Sequence, residues 1–381
     1  KLLNQEIQKY INANLNTDLH SLLLKKSPFP EVSIQELVQQ IKGRKVAEKK
    51  FTFLNQENII FPPNLNLEQS SSQDTADFKK QFFKGKKFID LTCGFGIDAY
   101  FLSQNFEEIT LIEQNTELLD IVKQNWEVLG RKANFINQKL EDFLTNNKEK
   151  FDLIYLDPAR RDNHNRKVFL LEDLSPNIIE IQEQLSDIST EILIKLSPLI
   201  DIQHLVSSLQ NIYKIWIIAV KNEVKEVLVY LKKTENQPEI FCINLQSSEP
   251  EFHFNLDDEK HCKSEFSIPK KYIYIPNNSV LKSGAFNLVS EKFGLKKLHQ
   301  NTHIYTSEEK IEHFPGRIFE TEEINSKAIK KGEQFNIITK NFPLKPEEIK
   351  KKYKIKDGGN QYLIAVKSLS GNHFLVGKLL D

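Results

Sequence analysis

The chain has 381 residues, 39% of them hydrophobic, with 52 basic and 52 acidic side chains and a formal net charge of +0. That length suits two or three domains, and the hydrophobic share suffices for real cores. Balanced charge excludes attraction of nucleic acid by the whole molecule, so any such contact must come from a local patch.

The opening stretch, Lys1-Leu2-Leu3-Asn4-Gln5-Glu6, turns polar within a few residues, and no apolar run approaches the roughly 20 residues of a membrane span. No signal peptide is visible, and a cytoplasmic location with no membrane contact is expected. Apolar positions Leu2, Ile7, Ile11, Leu15, Leu19, Leu22 and Leu23, then Ile34, Leu37, Val38 and Ile41, recur at helical spacing and predict a helical N-terminal domain over 1–67. Pro62-Pro63 and the polar run from Gln69 to Asp74 then predict a loop before a helix from about Thr75 to Phe83, placed to cover a ligand.

Phe88-Ile89-Asp90-Leu91-Thr92-Cys93-Gly94-Phe95-Gly96 reads as an apolar strand running into a glycine turn and a helix, the layout of a nucleotide-type site. Gly94 and Gly96 let a ligand approach the backbone, and Asp90 sets a carboxylate at the strand end. That carboxylate would repel a pyrophosphate but attract a cationic amino group and a sulfonium, so S-adenosyl-L-methionine fits and a dinucleotide fits less well. The next strand, Ile109-Thr110-Leu111-Ile112-Glu113, ends about 20 residues beyond the glycines in an acid suited to ribose hydroxyls. Cys93 lies inside the turn, and the bland reading of a packed small residue outweighs a nucleophile there.

Phe151-Asp152-Leu153-Ile154-Tyr155-Leu156-Asp157 is another buried strand, ending in Asp157-Pro158-Ala159-Arg160-Arg161. Ligands of an open parallel sheet lie beyond the carboxyl ends of the strands, so Asp90, Glu113 and Asp157 can line one crevice. Asp157 suits an exocyclic amine, whose N–H it would accept while orienting the lone pair. Arg160 and Arg161 suit a phosphate or a stacked base. The candidate cofactor contacts are Gln69, Thr75, Asp90, Thr92, Gly94, Gly96, Glu113, Gln114 and Asp157. The candidate catalytic residues are Asp157, Pro158 and Arg160, with no metal. Lys195, Ser197, Asn222 and Glu223 could border the acceptor pocket.

Strands at roughly 86–91, 109–113, 134–137, 152–157, 191–196, 213–220 and 239–245, with helices between most of them, predict an alternating α/β domain with a mostly parallel sheet. Tyr272 to Pro276, a helix over Ser279 to Phe293 and His303 to Tyr305 form a strand-helix-strand unit. The last segment reads as a strand at Arg317–Thr321, a helix at Ser326–Lys331, a strand at Phe335–Thr339, a helix at Pro346–Tyr353 and a hairpin of Gln361–Ser368 with His373–Leu380. Its lysines (327, 330, 331, 340, 345, 350, 351, 352, 354 and 356) could track a phosphate backbone or simply be a wet helix face. Cys93, Cys242 and Cys262 have neither metal-ligand spacing nor even pairing, which points to a reducing compartment.

The Asp157-Pro158-Ala159-Arg160 stretch resembles the acceptor-side motif of class I S-adenosylmethionine-dependent methyltransferases, with Ala159 for the second proline and Arg160 in the aromatic slot. Four stretches narrow the resemblance: residues 68–76, Asp157 to Arg161, Lys195-Leu196-Ser197-Pro198, and Asn341-Phe342-Pro343-Leu344 with Gly358-Gly359. Together they resemble bacterial methyltransferases that carry a ferredoxin-like segment and a THUMP-like domain, over nearly the whole chain. The resemblance implies a Rossmann-like α/β class I methyltransferase domain over 68–247, a ferredoxin-like segment over 248–314 and a THUMP-like α+β domain over 315–381, the last two being small α+β modules. It implies direct in-line methyl transfer, with structured RNA (tRNA or rRNA) as partner through the C-terminal module. Because no cysteine closely follows the Asp157 strand end, the acceptor atom is expected to be nitrogen or oxygen instead of pyrimidine carbon 5. A protein or small-molecule methyltransferase and a non-catalytic RNA-binding protein are the other readings.

Overall fold

The structure, a computed structural model, describes residues 1–160 and 170–380, with the backbone alone for Asn64, Leu65 and Arg160. Arg161 lies outside the described residues. The chain forms two compact units, 1–212 with 228–234, and 213–227 with 235–381.

In the first unit, α1 (Gln5–Ala13), α2 (Leu19–Leu23) and α3 (Ile34–Lys50) are started by Asn4, Asp18 and Ser33, whose side chains accept backbone N–H groups. Ser33 and Glu36 close a reciprocal capping box, with Glu36 Oε2 taking the Ser33 N–H at 2.7 Å. Ile7, Ile11 and Leu22 pack with Leu37, Val38 and Ile41 in one apolar cluster, as their spacing predicts, whereas Leu23 is exposed. The extended segment that follows is held by side-chain amides acting as a backbone would. Gln40 takes the N–H and satisfies the C=O of Phe61 (2.8 and 2.9 Å), and Asn125 does the same for Ile60 (2.8 Å each).

After α4 (Asn64–Gln69) and α5 (Gln73–Lys80) comes an open parallel sheet of β1 (Lys87–Asp90), β2 (Glu108–Glu113), β3 (Asn134–Asn137), β4 (Leu153–Leu156) and β7 (Glu191–Leu196). Its order is β7-β4-β1-β2-β3, and Lys232, at the end of β9 (Glu223–Lys232), pairs with Glu191 of β7 at 2.7 Å. Between the strands run α6 (Ile97–Leu102), α7 (Thr116–Val128), α8 (Leu140–Asn146) and α9 (Ile178–Ile188), with α10 (Ile202–Ser208) after β7. A two-strand ribbon joins β5 (Ala159–Arg160) to β6 (Leu174–Ser175). All four residues of β4 are buried, as both-face coverage of a parallel strand demands. The chain lays β2 and β3 to one side of β1 and then returns on the other side as β4, so the switch point lies at the carboxyl ends of β1 and β4.

In the second unit β8 (Ile212–Val220) turns through Lys221 and Asn222, both at positive φ, into β9, a strand the sequence reading did not name. β10 (Glu239–Leu245) runs parallel to β8 and antiparallel to β11 (Phe252–Asn255), before the short α11 (Asp258–His261). A seven-stranded sheet follows, in the order β13-β14-β12-β15-β18-β17-β16. Its strands are β12 (Tyr272–Pro276), β13 (Lys296–His299), β14 (Thr302–Ser307), β15 (Gly316–Ile324), β16 (Gln334–Lys340), β17 (Lys356–Ser368) and β18 (Gly371–Leu380). Along β17, Ile364 and Val366 join one apolar cluster, while Leu363 and Ala365 join another that holds Ile349 of α14 (Pro346–Tyr353). The single helix expected over 279–293 is two, α12 (Asn278–Ser283) and α13 (Phe286–Phe293), because Gly284 at φ 78° ends the first in a left-handed turn. The helix expected over 326–331 is a single 3-10 turn, Ser326–Ala328. Among the described residues no helix is long and apolar enough to cross a membrane.

Candidate active site

The glycine turn follows β1 because Gly94 and Gly96 take positive φ, 54° and 75°. Gly96 also has no room: a Cβ there would lie 2.9 Å from Val122 Cγ1 of α7. A Cβ on Gly94 would meet nothing closer than the Thr92 carbonyl at 3.8 Å, so the backbone is open to a ligand on that side.

Three strand ends are tied together here. The Thr92 N–H donates to Oδ1 of Asp90 (2.9 Å), and the Asp157 N–H at the end of β4 donates to the Thr92 hydroxyl oxygen (2.7 Å). From β2, Glu113 accepts the Gly94 N–H through Oε2 (3.0 Å) and the Asn115 N–H through Oε1 (2.8 Å). Asp90, Thr92, Gly94, Glu113 and Asp157 therefore line one place, as read from the sequence. Pro158 is buried beside Asp157, and Gln114 is exposed just past β2, its carbonyl taking an Asn137 amide proton at 3.2 Å. Gln69 is the exposed last residue of α4, and Thr75 is buried in the first turn of α5, bonded to Ser72. Among the described residues no hydrogen bond links Gln69 or Thr75 to the turn.

Asp90, expected as a carboxylate facing a cation, is deeply buried. At 1% exposure it has lost its water, and burial, aided by the nearby Asp98, Asp157 and Glu113 carboxylates, lifts its carboxyl well above the ordinary range against the pull of the Thr92 N–H. Burial likewise raises the Cys93 thiol, with Asp90 and Glu113 adding to it, which leaves an unreactive packed side chain.

Behind the turn lies a buried polar cluster of which the sequence reading named Lys195, as a border of the acceptor pocket, but missed Lys79 and Asp98. Asp98, on α6, accepts from Lys79 Nζ through Oδ1 (2.6 Å) and, through Oδ2, from the Ser71 hydroxyl (2.6 Å), the Tyr155 hydroxyl (2.7 Å) and Lys195 Nζ (3.4 Å). Burial raises the Asp98 carboxyl, but Lys79 and Lys195 overcome it, and the group stays far below the usual carboxylate range. Lys195 also pairs with Oδ2 of Asp157 at 2.5 Å. Burial lifts the Asp157 carboxyl, and Lys195 works against that lift. The available signal was a charge inside an apolar run: Asp98 in Ile97–Leu102 and Lys195 in Glu191–Leu196. Asn222 and Glu223 belong to the second unit, where Asn222 takes the Asn278 N–H at 2.7 Å.

Family models match three segments: 73–193 as Conserved hypothetical protein 95, 272–315 as a ferredoxin-like domain and 316–377 as THUMP domain-like. No curated protein matches the chain. Among solved structures, a candidate methyltransferase from Porphyromonas gingivalis W83 is similar over 98% of this chain and 97% of its own, at 29% identity and a TM-score of 0.86. An rRNA methylase from Streptococcus thermophilus matches 42% of this chain and 95% of its own, at 16% identity and a TM-score of 0.31. A candidate methyltransferase from Streptococcus mutans in complex with SAH matches 42% and 96%, at 16% identity and a TM-score of 0.32. The Rossmann-like domain with ferredoxin-like and THUMP-like segments, expected from the sequence, is the architecture found.

Proposed function

We propose that this chain, a methyltransferase of the Rossmann-like class I fold that takes S-adenosyl-L-methionine, methylates a nitrogen or oxygen of structured RNA, tRNA or rRNA, in the cytoplasm. The observation that carries the reading is the tie of three strand ends around an open glycine turn: Asp90 to Thr92 to Asp157, with Glu113 on Gly94. The donor set fits the cofactor. Glu113 is a half-buried carboxylate at the β2 end, suited to ribose hydroxyls, and the Gly94 backbone is open to close approach. Burial raises the Asp90 carboxyl, and a cationic amino group or sulfonium arriving beside it would favour its charged form. The cofactor supplies an electrophilic methyl group, and the protein supplies position and a polar pocket.

In this reading Asp157 faces the acceptor. Its Oδ2 is engaged by Lys195, and over a third of its side chain is exposed, so the second oxygen is placed to accept an acceptor proton. RNA is supported by the THUMP domain-like match and by the lysines of that segment and its surroundings. Among the described residues, Lys350 is the one of the ten named above that forms ion pairs, with Glu347 and Asp357. The others are available to phosphates.

The test is methyl transfer from tritiated S-adenosylmethionine to tRNA and rRNA prepared from cells lacking this gene, followed by nucleoside analysis. Label in an N- or O-methylated nucleoside supports the proposal. Label in a C5-methylated pyrimidine, or label entering protein or small molecules in place of RNA, contradicts it.

A further inference from the structure

The buried cluster behind the glycine turn joins three elements that the sequence keeps far apart. Lys79 comes from α5, Asp98 from α6 and Lys195 from β7, and Ser71 bonds to all three: 2.6 Å to Asp98, 3.3 Å to Lys79 and 3.0 Å to Lys195. Lys79 is fully buried, and the side chains of Asp98 and Lys195 are nearly so. Buried charges on this scale are costly to assemble and cluster at functional sites as well as in structural networks. The group they meet at the crevice is Asp157, through the 2.5 Å contact of Lys195 with Oδ2.

We propose that Lys195 is a positioning residue for methyl transfer: anchored by Asp98 and Ser71, it clamps Oδ2 of Asp157, keeps that carboxylate ionised and points the other oxygen at an amino group of the acceptor. This rests on the methyltransferase reading above and narrows its acceptor to nitrogen. A carboxylate already clamped by an ammonium is a weak base. It could not strip a proton from a neutral hydroxyl before attack, but an amine needs no such help. The nitrogen lone pair forms the new N–C bond, the S–C bond breaks with its electron pair going to sulfur, and the nitrogen becomes cationic. Its proton is then acidic enough to leave to the Asp157 carboxylate and on to water.

The groups that face Asp157 pull in opposite senses. Burial, with Asp98 adding to it, raises its carboxyl, while Lys195 and, more weakly, Lys79 lower it. Asp157 in turn acts on Asp90, which Glu113 and Asp98 also face. Removing Lys195 therefore leaves burial and Asp98 unopposed except by Lys79.

The experiment is a pH titration of the full-length protein labelled with γ-¹³C-aspartate, with Asp157→Asn to assign the resonance, in wild type, Lys195→Met and Lys195→Arg. In wild type Asp157 should be ionised at about pH 7. Lys195→Met should raise its midpoint by at least about one unit, a tenfold change in its ionisation constant, and Lys195→Arg should restore most of it. The rising limb of the pH–rate profile should move by the same amount, in kcat and not in KM for S-adenosylmethionine. An Asp157 midpoint in wild type above about pH 7 overturns the proposal without any substitution at Lys195, and so does an unchanged midpoint in Lys195→Met. Failure of the underlying reading shows separately, as wild-type protein that does not bind S-adenosylhomocysteine.

Discussion

The backbone N–H of Asp157 and the hydroxyl oxygen of Thr92 are 2.7 Å apart, which fastens the end of β4 to the turn after β1. The two strand ends proposed for acceptor and cofactor thus share one threonine, since the Thr92 N–H is itself bonded to Asp90. Replacing Thr92 by the isosteric valine removes the acceptor and leaves the Asp157 N–H unpaired, at a cost of about 1–3 kcal/mol. Thr92→Val should lower the melting temperature and cut turnover by about tenfold or more through misplacement of Asp157, with a smaller loss of S-adenosylhomocysteine affinity. Thermal unfolding, rate assays and calorimetry on the same preparation separate these effects.

The raised carboxyl of Asp90 predicts a trade between stability and binding. Its folded-state carboxyl lies well above the unfolded value. Such a group contributes stability that is complete below the unfolded value and is lost as pH rises through the folded one. Asp90→Asn keeps the acceptor for the Thr92 N–H and removes the ionisation. The variant should therefore match wild type at acid pH and melt higher than it as pH rises, by about 2–4 °C for each kcal/mol relieved in a domain of this size. Scanning calorimetry at several pH values checks the sign, and equal melting temperatures throughout would count against a perturbed Asp90.

Cys93 sits at the heart of the turn, yet its buried thiol is held in the protonated form. Cys93→Ala should keep turnover within a few fold of wild type, because the side chain fills space and forms no bond to substrate. Abolished turnover in a folded Cys93→Ala protein, with a protein–RNA adduct trapped in wild type, would instead mark a covalent route to a pyrimidine carbon.

Much of this was legible in the chain. The strands over 134–137, 191–196 and 239–245 and the helix over 346–353 coincide with the sequence reading, because each is an apolar run or a periodic stretch bounded by turn residues or capped by proline. The meeting of Asp90, Glu113 and Asp157 was legible too, since a parallel sheet sends successive strand ends to one edge. Strand β9 was missed because Glu223, Lys225 and Glu226 disguise its first half, and the break at Gly284 because the apolar spacing continues across it. Of the cluster, Lys195 was named as a border of the acceptor pocket, while Lys79 and Asp98 escaped for a deeper reason. A lysine or an aspartate is read as solvated unless its partners are known, and these partners come from residues 71 to 195. The raised carboxyl of Asp90 is likewise a product of burial, and burial is a property of the packed chain.

The most direct measurement is calorimetric titration with S-adenosylhomocysteine of wild type, Asp90→Ala and Glu113→Ala. The account predicts micromolar binding by wild type that strengthens as pH rises through the raised Asp90 value, with loss of about tenfold or more in each variant. Absence of binding by wild type, or full affinity in both variants, would contradict the placement of the cofactor on the turn between β1 and α6.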